Sequence, residues 1–347
     1  MNKTKKFIFL VILFSLFTVN LTVFNVEAQE EAINDKTTAE EIRVIESVEK
    51  VDPQKPKRSK ISRKKGKLSN EERNLKKEFN INTKTATLEK NGRKIEIGTP
   101  AEIENNNTKI QDDKIIFEAS NNKVDLTLEN VEGGIRQVIV INDENQPRVY
   151  NFPMKLNQGD YIVSNANGSL TVNDKENNKL LTVLKPWARD KNGKTLNTYY
   201  KVNQTGFEQV IDSEGAEFPV VADPTWCGNQ IQSVWWSDDN SGGRLNVIPT
   251  WCGRYAGTNS WDAWTEVYNR TPYHWQFNWS DRRYGTNKYW SMYNQLQCHI
   301  DWIKWANSVG YSIDYIKRKQ PIYRDSFHLE PFRNDKGYWG FIFSGCN

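Results

Sequence analysis

Cysteine is missing from the first 226 residues of this 347-residue chain, and the four that it has stand at positions 227, 252, 298 and 346. No thiol near the N-terminus is therefore available to carry a lipid anchor. Histidine is almost absent too, and all three residues lie after position 225. No apolar run approaches the about 20 residues of a membrane-spanning helix; the longest, Phe7 to Val19, has 13. A C-terminal wall-sorting signal is lacking as well. The net charge of +4 is too small over this length to argue for nucleic acid. Cysteine and histidine spacings of the zinc-finger kind do not occur, so neither a metal nor any other cofactor is expected.

What is present is unevenly distributed. Lys3, Lys5 and Lys6, the apolar run to Val19 and the small-residue end Val26-Glu27-Ala28 have the form of a secretory signal peptide, residues 1–28, cleaved before Gln29. A secreted, extracellular protein is expected, released from the cell. Residues 29–80 have few aromatics and much charge, and they read as a disordered charged linker. Ile42, Val44, Ile45 and Val48 in it are spaced for a weak helix. Eight basic residues between Lys55 and Lys67, with no acid among them, suit a tether to anionic polymers or a site for proteolytic removal.

From residue 81 to 224 the pattern changes to short segments of period 2, among them Arg93 to Ile97, Lys114 to Glu118, Val124 to Leu128, Arg136 to Ile141 and Leu170 to Asn173. They are separated by turn pairs such as Asn91-Gly92, Gly133-Gly134 and Asn167-Gly168. This predicts an antiparallel β-sandwich-like domain acting as a scaffold. Gly134 to Gln137, Lys185-Pro186-Trp187-Ala188-Arg189-Asp190 and above all Phe218-Pro219-Val220-Val221-Ala222-Asp223-Pro224 resemble the β-rich leader of many secreted Gram-positive and actinobacterial proteins. In those proteins the last phrase marks the junction to a variable C-terminal domain.

Residues 225–347 hold twelve of the thirteen tryptophans. A phrase occurs twice near their start, Pro224-Thr225-Trp226-Cys227-Gly228 and Pro249-Thr250-Trp251-Cys252-Gly253. Between the copies, Ile231 to Trp236 and Arg244 to Ile248 alternate as a hairpin, which brings Cys227 to Cys252 across its base and leaves Cys298 for Cys346. Closing two such loops contributes about 3.5 and about 4 kcal/mol in a chain-entropy picture. Helices are expected over Trp261 to Asn269 and Thr286 to Asn307. The second carries an apolar stripe of Tyr289, Met292, Tyr293, Leu296, Ile300 and Ile303, with Trp302 and Trp305 off the stripe and in need of a second surface. The fold class expected is α+β overall: a disordered charged arm, a β-sandwich-like middle domain and a small disulfide-stapled α+β domain.

Gly243 to Thr250, Gln295-Leu296-Gln297-Cys298-His299 and Leu329 to Gly337 resemble a family of secreted bacterial domains without assigned activity, domain-of-unknown-function family two-five-nine-nine. Phe332 and Asn334 depart from its pattern, standing in place of Trp and Pro. The resemblance implies an extracellular location and the Cys298 to Cys346 pairing, and it assigns no catalytic residue.

Two classes of function remain. A binding or toxin-like effector module at a bacterial or host surface would use exposed rings and cations: Trp235, Trp236, Trp275, Trp279, Arg282 and Arg283. Its target would be a cell-wall polymer, a membrane surface or a surface protein. A hydrolase of wall glycan or lipid would instead bring His299, His328 and Glu330 into one pocket, or pair carboxylates drawn from Glu266, Asp301, Asp314, Asp325, Glu330 and Asp335.

Overall fold

A computed structural model of the protein describes residues 39–53, 56–64, 67–72, 74–103, 107–111, 113–119, 124–237, 244–255, 260–271, 288–308 and 327–329, with 339 and 346. The signal-peptide segment and Trp275, Trp279, Arg282, Arg283 and Glu330 lie outside the described residues.

The alternating segments become strands that build two antiparallel sheets. One has eight strands: Ser62–Lys64 (β1), Lys67–Glu72 (β2), Leu75–Asn80 (β3), Thr85–Lys90 (β4), Arg93–Ile97 (β5), then Val149–Lys155, Gly206–Ile211 and Thr198–Asn203. The β4–β5 hairpin turns through Asn91 (φ 53°) and Gly92 (φ 77°), the left-handed pair that a two-residue hairpin loop demands. The other sheet runs through Lys114–Glu118, Val124–Val131 and Gly134–Ile141, and on to Lys179–Val183, Leu170–Asn173 and Tyr161–Ser164. Side chains of period 2 from both sheets meet in one core that includes Leu88, Ile95, Phe152 and Phe207 from the first and Phe117, Leu126, Ile139 and Trp226 from the second.

The Val-Val-Ala-Asp-Pro phrase has a definite place in this fold. Val220–Asp223 and Thr225–Cys227 pair with opposite ends of Gly134–Ile141, and Pro224, which has no N–H to give, sits between them while its carbonyl accepts from Gln137 at 3.0 Å. The phrase thus forms one strand position of the β domain, interrupted at the proline.

Residues 39–80 differ from the expectation of a disordered linker. Ala39–Val51 is a helix (α1) whose Val44, Val48 and Val51 cover Ile116, Val138, Val140, Trp187 and Val221 on the outer face of the second sheet. Each such valine contributes on the order of 1.5–3 kcal/mol by leaving water. Strands β1 to β3 then enter the eight-stranded sheet. The charge that suggested disorder is matched inside the domain: Arg43 meets Asp125 at 2.7 Å, Lys57 meets Glu132 at 3.1 Å and Arg58 meets Glu129 at 3.0 Å. Two cations of the basic run are therefore ion-paired within the fold.

Arg136 lies at the centre of this arrangement, fully buried, with Asp52 at 2.7 Å, Asp223 at 3.0 Å and Glu129 at 3.5 Å. Burial disfavours its charge, but these carboxylates hold it protonated and raise its pKa. Three acids surround Arg136 and Arg58, so one acid is left over. Burial pushes Asp223 up to about 7 against the pull of Arg136.

The C-terminal unit has a three-stranded sheet, Ile231–Ser237, Arg244–Pro249 and Phe327–Leu329, packed against the helices Ser260–Arg270 (α3) and Lys288–Ser308 (α4); a short helix, Trp251–Tyr255 (α2), precedes them. Val234, Leu245, Val247, Trp264, Met292, Leu296 and Ile300 form its core. Both sulfur bridges are present, Cys227–Cys252 with Cα atoms 5.6 Å apart and Cys298–Cys346 at 5.4 Å. Trp302 finds its second surface on the latter bridge.

Candidate functional site

The sequence places His299 and His328 in one chain segment, but the fold sets them on a helix and on a strand. His299 is buried on α4 with its ring parallel to Phe327 at 4.7 Å. His328 follows Phe327 on the strand Phe327–Leu329, where successive side chains point to opposite faces. Phe327 and Leu329 face the core, so His328 stands on the other side of the strand from the His299 ring. Cys298 is bonded to Cys346 and offers no thiolate. Among the rings proposed from sequence, Trp235 is exposed and Trp236 packs partly against the core.

The repeated phrase forms the joint between the β domain and the C-terminal unit. In the first copy Trp226 lies in the β core, 5.9 Å from Phe152 and 5.9 Å from Phe207. In the second copy the Thr250 hydroxyl caps α2 by accepting from the Gly253 amide at 2.9 Å and donates to the Asn229 carbonyl at 2.8 Å. The tip of the hairpin Val124–Val131 and Gly134–Ile141 enters between the copies. Its Gly133 (φ 88°) is pressed against the Asn229 carbonyl, the Thr250 hydroxyl and Cys252, where a side chain would collide. Glu132 accepts from the Trp251 amide at 3.0 Å and the Gly133 carbonyl accepts from Gly228 and Asn229 at 2.9 Å. The buried Lys77 ammonium donates to Glu72 at 2.5 Å and to the Val131 carbonyl at 2.8 Å; burial lowers its pKa despite these partners. The bridge Cys227–Cys252 thus ties two units together, in addition to closing the base of a hairpin. The β domain includes Thr225–Cys227, and the chain passes to the second unit at Gly228 to Gln230 rather than at Pro224.

Beside this joint lies a cleft of about 720 Å³. Helix α3 provides one wall. Its Ala263, Trp264 and Val267 are buried in the core, while Trp261, Asp262, Thr265, Glu266 and Asn269, at spacings of one, three and four, line the cleft. The turn at Asn91 and the strand around Lys179 provide the opposite wall.

The charges of this cleft are spent on one another. Asp262 meets Lys179 at 2.5 Å across it. Glu266 accepts from the amides of Gln230 and Ile231 at 2.7 and 2.9 Å, and it meets Arg270 at 2.6 Å and Lys90 at 3.7 Å. Burial lowers the Lys90 pKa, with Glu266 opposing. Asp174 accepts from the Glu176 and Asn178 amides at 3.0 and 2.8 Å. No carboxylate of the cleft is thus disposed as a free general acid or base. In contrast, the exposed carboxamides of Asn74, Asn91 and Asn269 line it without a hydrogen bond to another described residue. The Trp261 ring is 43 % exposed at its rim and stacks at 6.0 Å on Trp290, itself 44 % exposed.

Sequence reasoning placed helix α3 and the Asn91-Gly92 turn but did not bring them together. The polar face of α3 at 261, 262, 265, 266 and 269 was the signal that could have marked one wall. The second wall comes from residues more than 80 positions earlier, and no local pattern links the two.

Comparison with curated proteins finds no match, and comparison with solved structures finds none. Residues 231–347, which begin where the β domain ends, match the family model described as "Protein of unknown function (DUF2599)".

Proposed function

We propose that the protein is a secreted effector or binding module that acts at a bacterial or host cell surface through its C-terminal unit. One observation carries this reading: among the described residues the exposed tryptophans, Trp235, Trp261, Trp290, Trp305 and Trp339, all belong to the C-terminal unit, whereas Trp187 and Trp226 of the β domain are buried. Holding several large rings in water is unfavourable for a domain that has no contact to make, and tryptophan combines wide apolar area with a polar N–H. Two sulfur bridges suit an oxidising compartment, in keeping with the signal-peptide pattern at the N-terminus. The paired state of the cleft carboxylates and the separation of His299 from His328 favour binding over hydrolysis.

The test is co-sedimentation of the purified full chain with isolated Gram-positive walls and with intact host cells, reading release of reducing ends and lysis in the same samples. The expected outcome is sedimentation without turnover, reduced at least tenfold when Trp235, Trp261, Trp290 and Trp305 are all replaced by Ala. Turnover by the wild-type chain, or equal sedimentation of the variant, would overturn the reading.

A further inference from the structure

We propose that the cleft between the β domain and helix α3 is a binding site for an uncharged oligosaccharide. This rests on the surface-binding reading above and names the chemistry of what is bound. Three observations carry it. The first is size: a cleft of about 720 Å³ lies within the about 300–1,000 Å³ of ordinary ligand sites.

The second is the balance of charge. Lys179 is paired with Asp262, Arg270 and Lys90 with Glu266, and Arg93 with Asp160. A polyanion such as a phosphate-rich wall polymer or a lipid headgroup binds through cations whose charge is available to it. Here Lys179 and Arg93 each have a carboxylate, Lys90 and Arg270 share Glu266, and Asp174 adds another acid to the lining, so the cleft as a whole is nearly neutral.

The third is the kind of hydrogen-bonding group left over. Asn74, Asn91 and Asn269 are exposed and each present two N–H donors and a carbonyl acceptor, none of which is used by another described residue. Arg93 Nε and Gln230 Oε1, also in the lining, have no protein partner. A sugar ring offers hydroxyls that both donate and accept, arranged around an apolar face of C–H groups. The hydroxyls match the carboxamides, and the C–H face matches the half-exposed ring of Trp261 at the rim. A lipid chain would leave those carboxamides desolvated and unpaired, at a cost of about 1–3 kcal/mol each.

The site is shared between the units. Asn91 comes from the β4–β5 turn and Asn74 from the turn between β2 and β3, whereas Trp261 and Asn269 lie about two turns apart along the polar face of α3. The joint built on Gly133 and on the Cys227–Cys252 bridge fixes these two walls relative to each other, so the ligand site depends on the joint.

The experiment is a tryptophan-fluorescence titration of the full chain with chitohexaose, with cellohexaose and with polyglutamate as the anionic control, compared across three variants. Trp261→Ala removes the stacking ring. Asn91→Gly removes a carboxamide while keeping a residue that tolerates positive φ. Asn269→Ala removes the carboxamide on the exposed face of α3, and neither asparagine side chain bonds to another described residue, so folding is preserved in both. Saturable binding of at least one of the two oligosaccharides is expected, weakened at least tenfold by Trp261→Ala and several-fold by each asparagine change, with no response to polyglutamate. No response to either oligosaccharide, a response to polyglutamate alone, or binding indifferent to Asn91→Gly and Asn269→Ala would overturn the assignment. A chain that sediments with walls yet ignores both oligosaccharides would sink the cleft alone and leave the surface-binding reading standing. Oligosaccharide binding without sedimentation would sink the surface reading alone.

Discussion

The β domain and the C-terminal unit use the same residue types in opposite ways. The β domain takes its charges inside, burying Lys77, Asp125, Glu129, Arg136 and Asp223, and it buries both of its tryptophans. Among the described residues the C-terminal unit leaves five tryptophans exposed and has a hydrophobic core with few buried charges. The difference teaches where each part spends its chemistry. Buried ion pairs specify how the N-terminal helix and the Val-Val-Ala-Asp-Pro strand fit on the sheet, and they offer nothing to a ligand. Exposed rings offer much to a ligand and little to the fold.

Breaking the charged centre of the β domain should have the largest effect. Replacing Arg136 by Ala leaves Asp52, Asp223 and Glu129 buried without their shared counterion, and a loss of about 3–5 kcal/mol is expected. Urea denaturation followed by the β-sheet signal in far-UV circular dichroism measures it. A change below about 1 kcal/mol would mean that the three acids are not held by this guanidinium.

The joint comes next. Replacing Cys227 and Cys252 together by Ser should cost about 3.5 kcal/mol. If the bridge serves to fix the two walls of the cleft, the same variant should also lose oligosaccharide binding under conditions where both units remain folded. Intact binding would reduce the bridge to a local staple.

The smallest effect is one of pH, and it separates the two regions again. Asp223 holds its proton up to about pH 7 in the folded chain, against an ordinary value of 3.8. The folded state therefore binds more protons between these limits, and the contribution of this group to stability rises as the pH falls from about 7 towards 4 and is lost as the pH climbs through 7. The Asp223→Asn variant should flatten that slope in β-domain melts recorded from pH 8 to pH 5. A wild-type slope of the opposite sign, unchanged by the substitution, would contradict the assignment.

Much of this architecture was legible in the chain. The alternation in Arg93–Ile97, Lys114–Glu118 and Leu170–Asn173 locates those strands to the residue, because period 2 and Asn-Gly turns are local properties. The hairpin after Cys227 foretold its bridge to Cys252 for the same reason. Residues 39–80 escape a reading from composition because composition counts charge without asking for its counterion; Arg43, Lys57 and Arg58 meet acids 82, 75 and 71 positions away. The junction at Pro224 was placed a few residues early, since the repeated phrase hid the fact that Trp226 belongs to the β core while Trp251 belongs to the joint. The candidate cleft was invisible for a similar reason: its walls are joined by tertiary structure alone. Of the candidate site residues, Trp235 is exposed and His299 is buried against Phe327.

Hydrogen–deuterium exchange of the full chain, with and without saturating chitohexaose or cellohexaose, tests most directly the claim that both units build one site. Slowed exchange is predicted in two separate stretches at once, the β4–β5 turn with the strand around Lys179, and helix α3. Protection confined to either stretch alone, or to the sheet around Trp235, would contradict it.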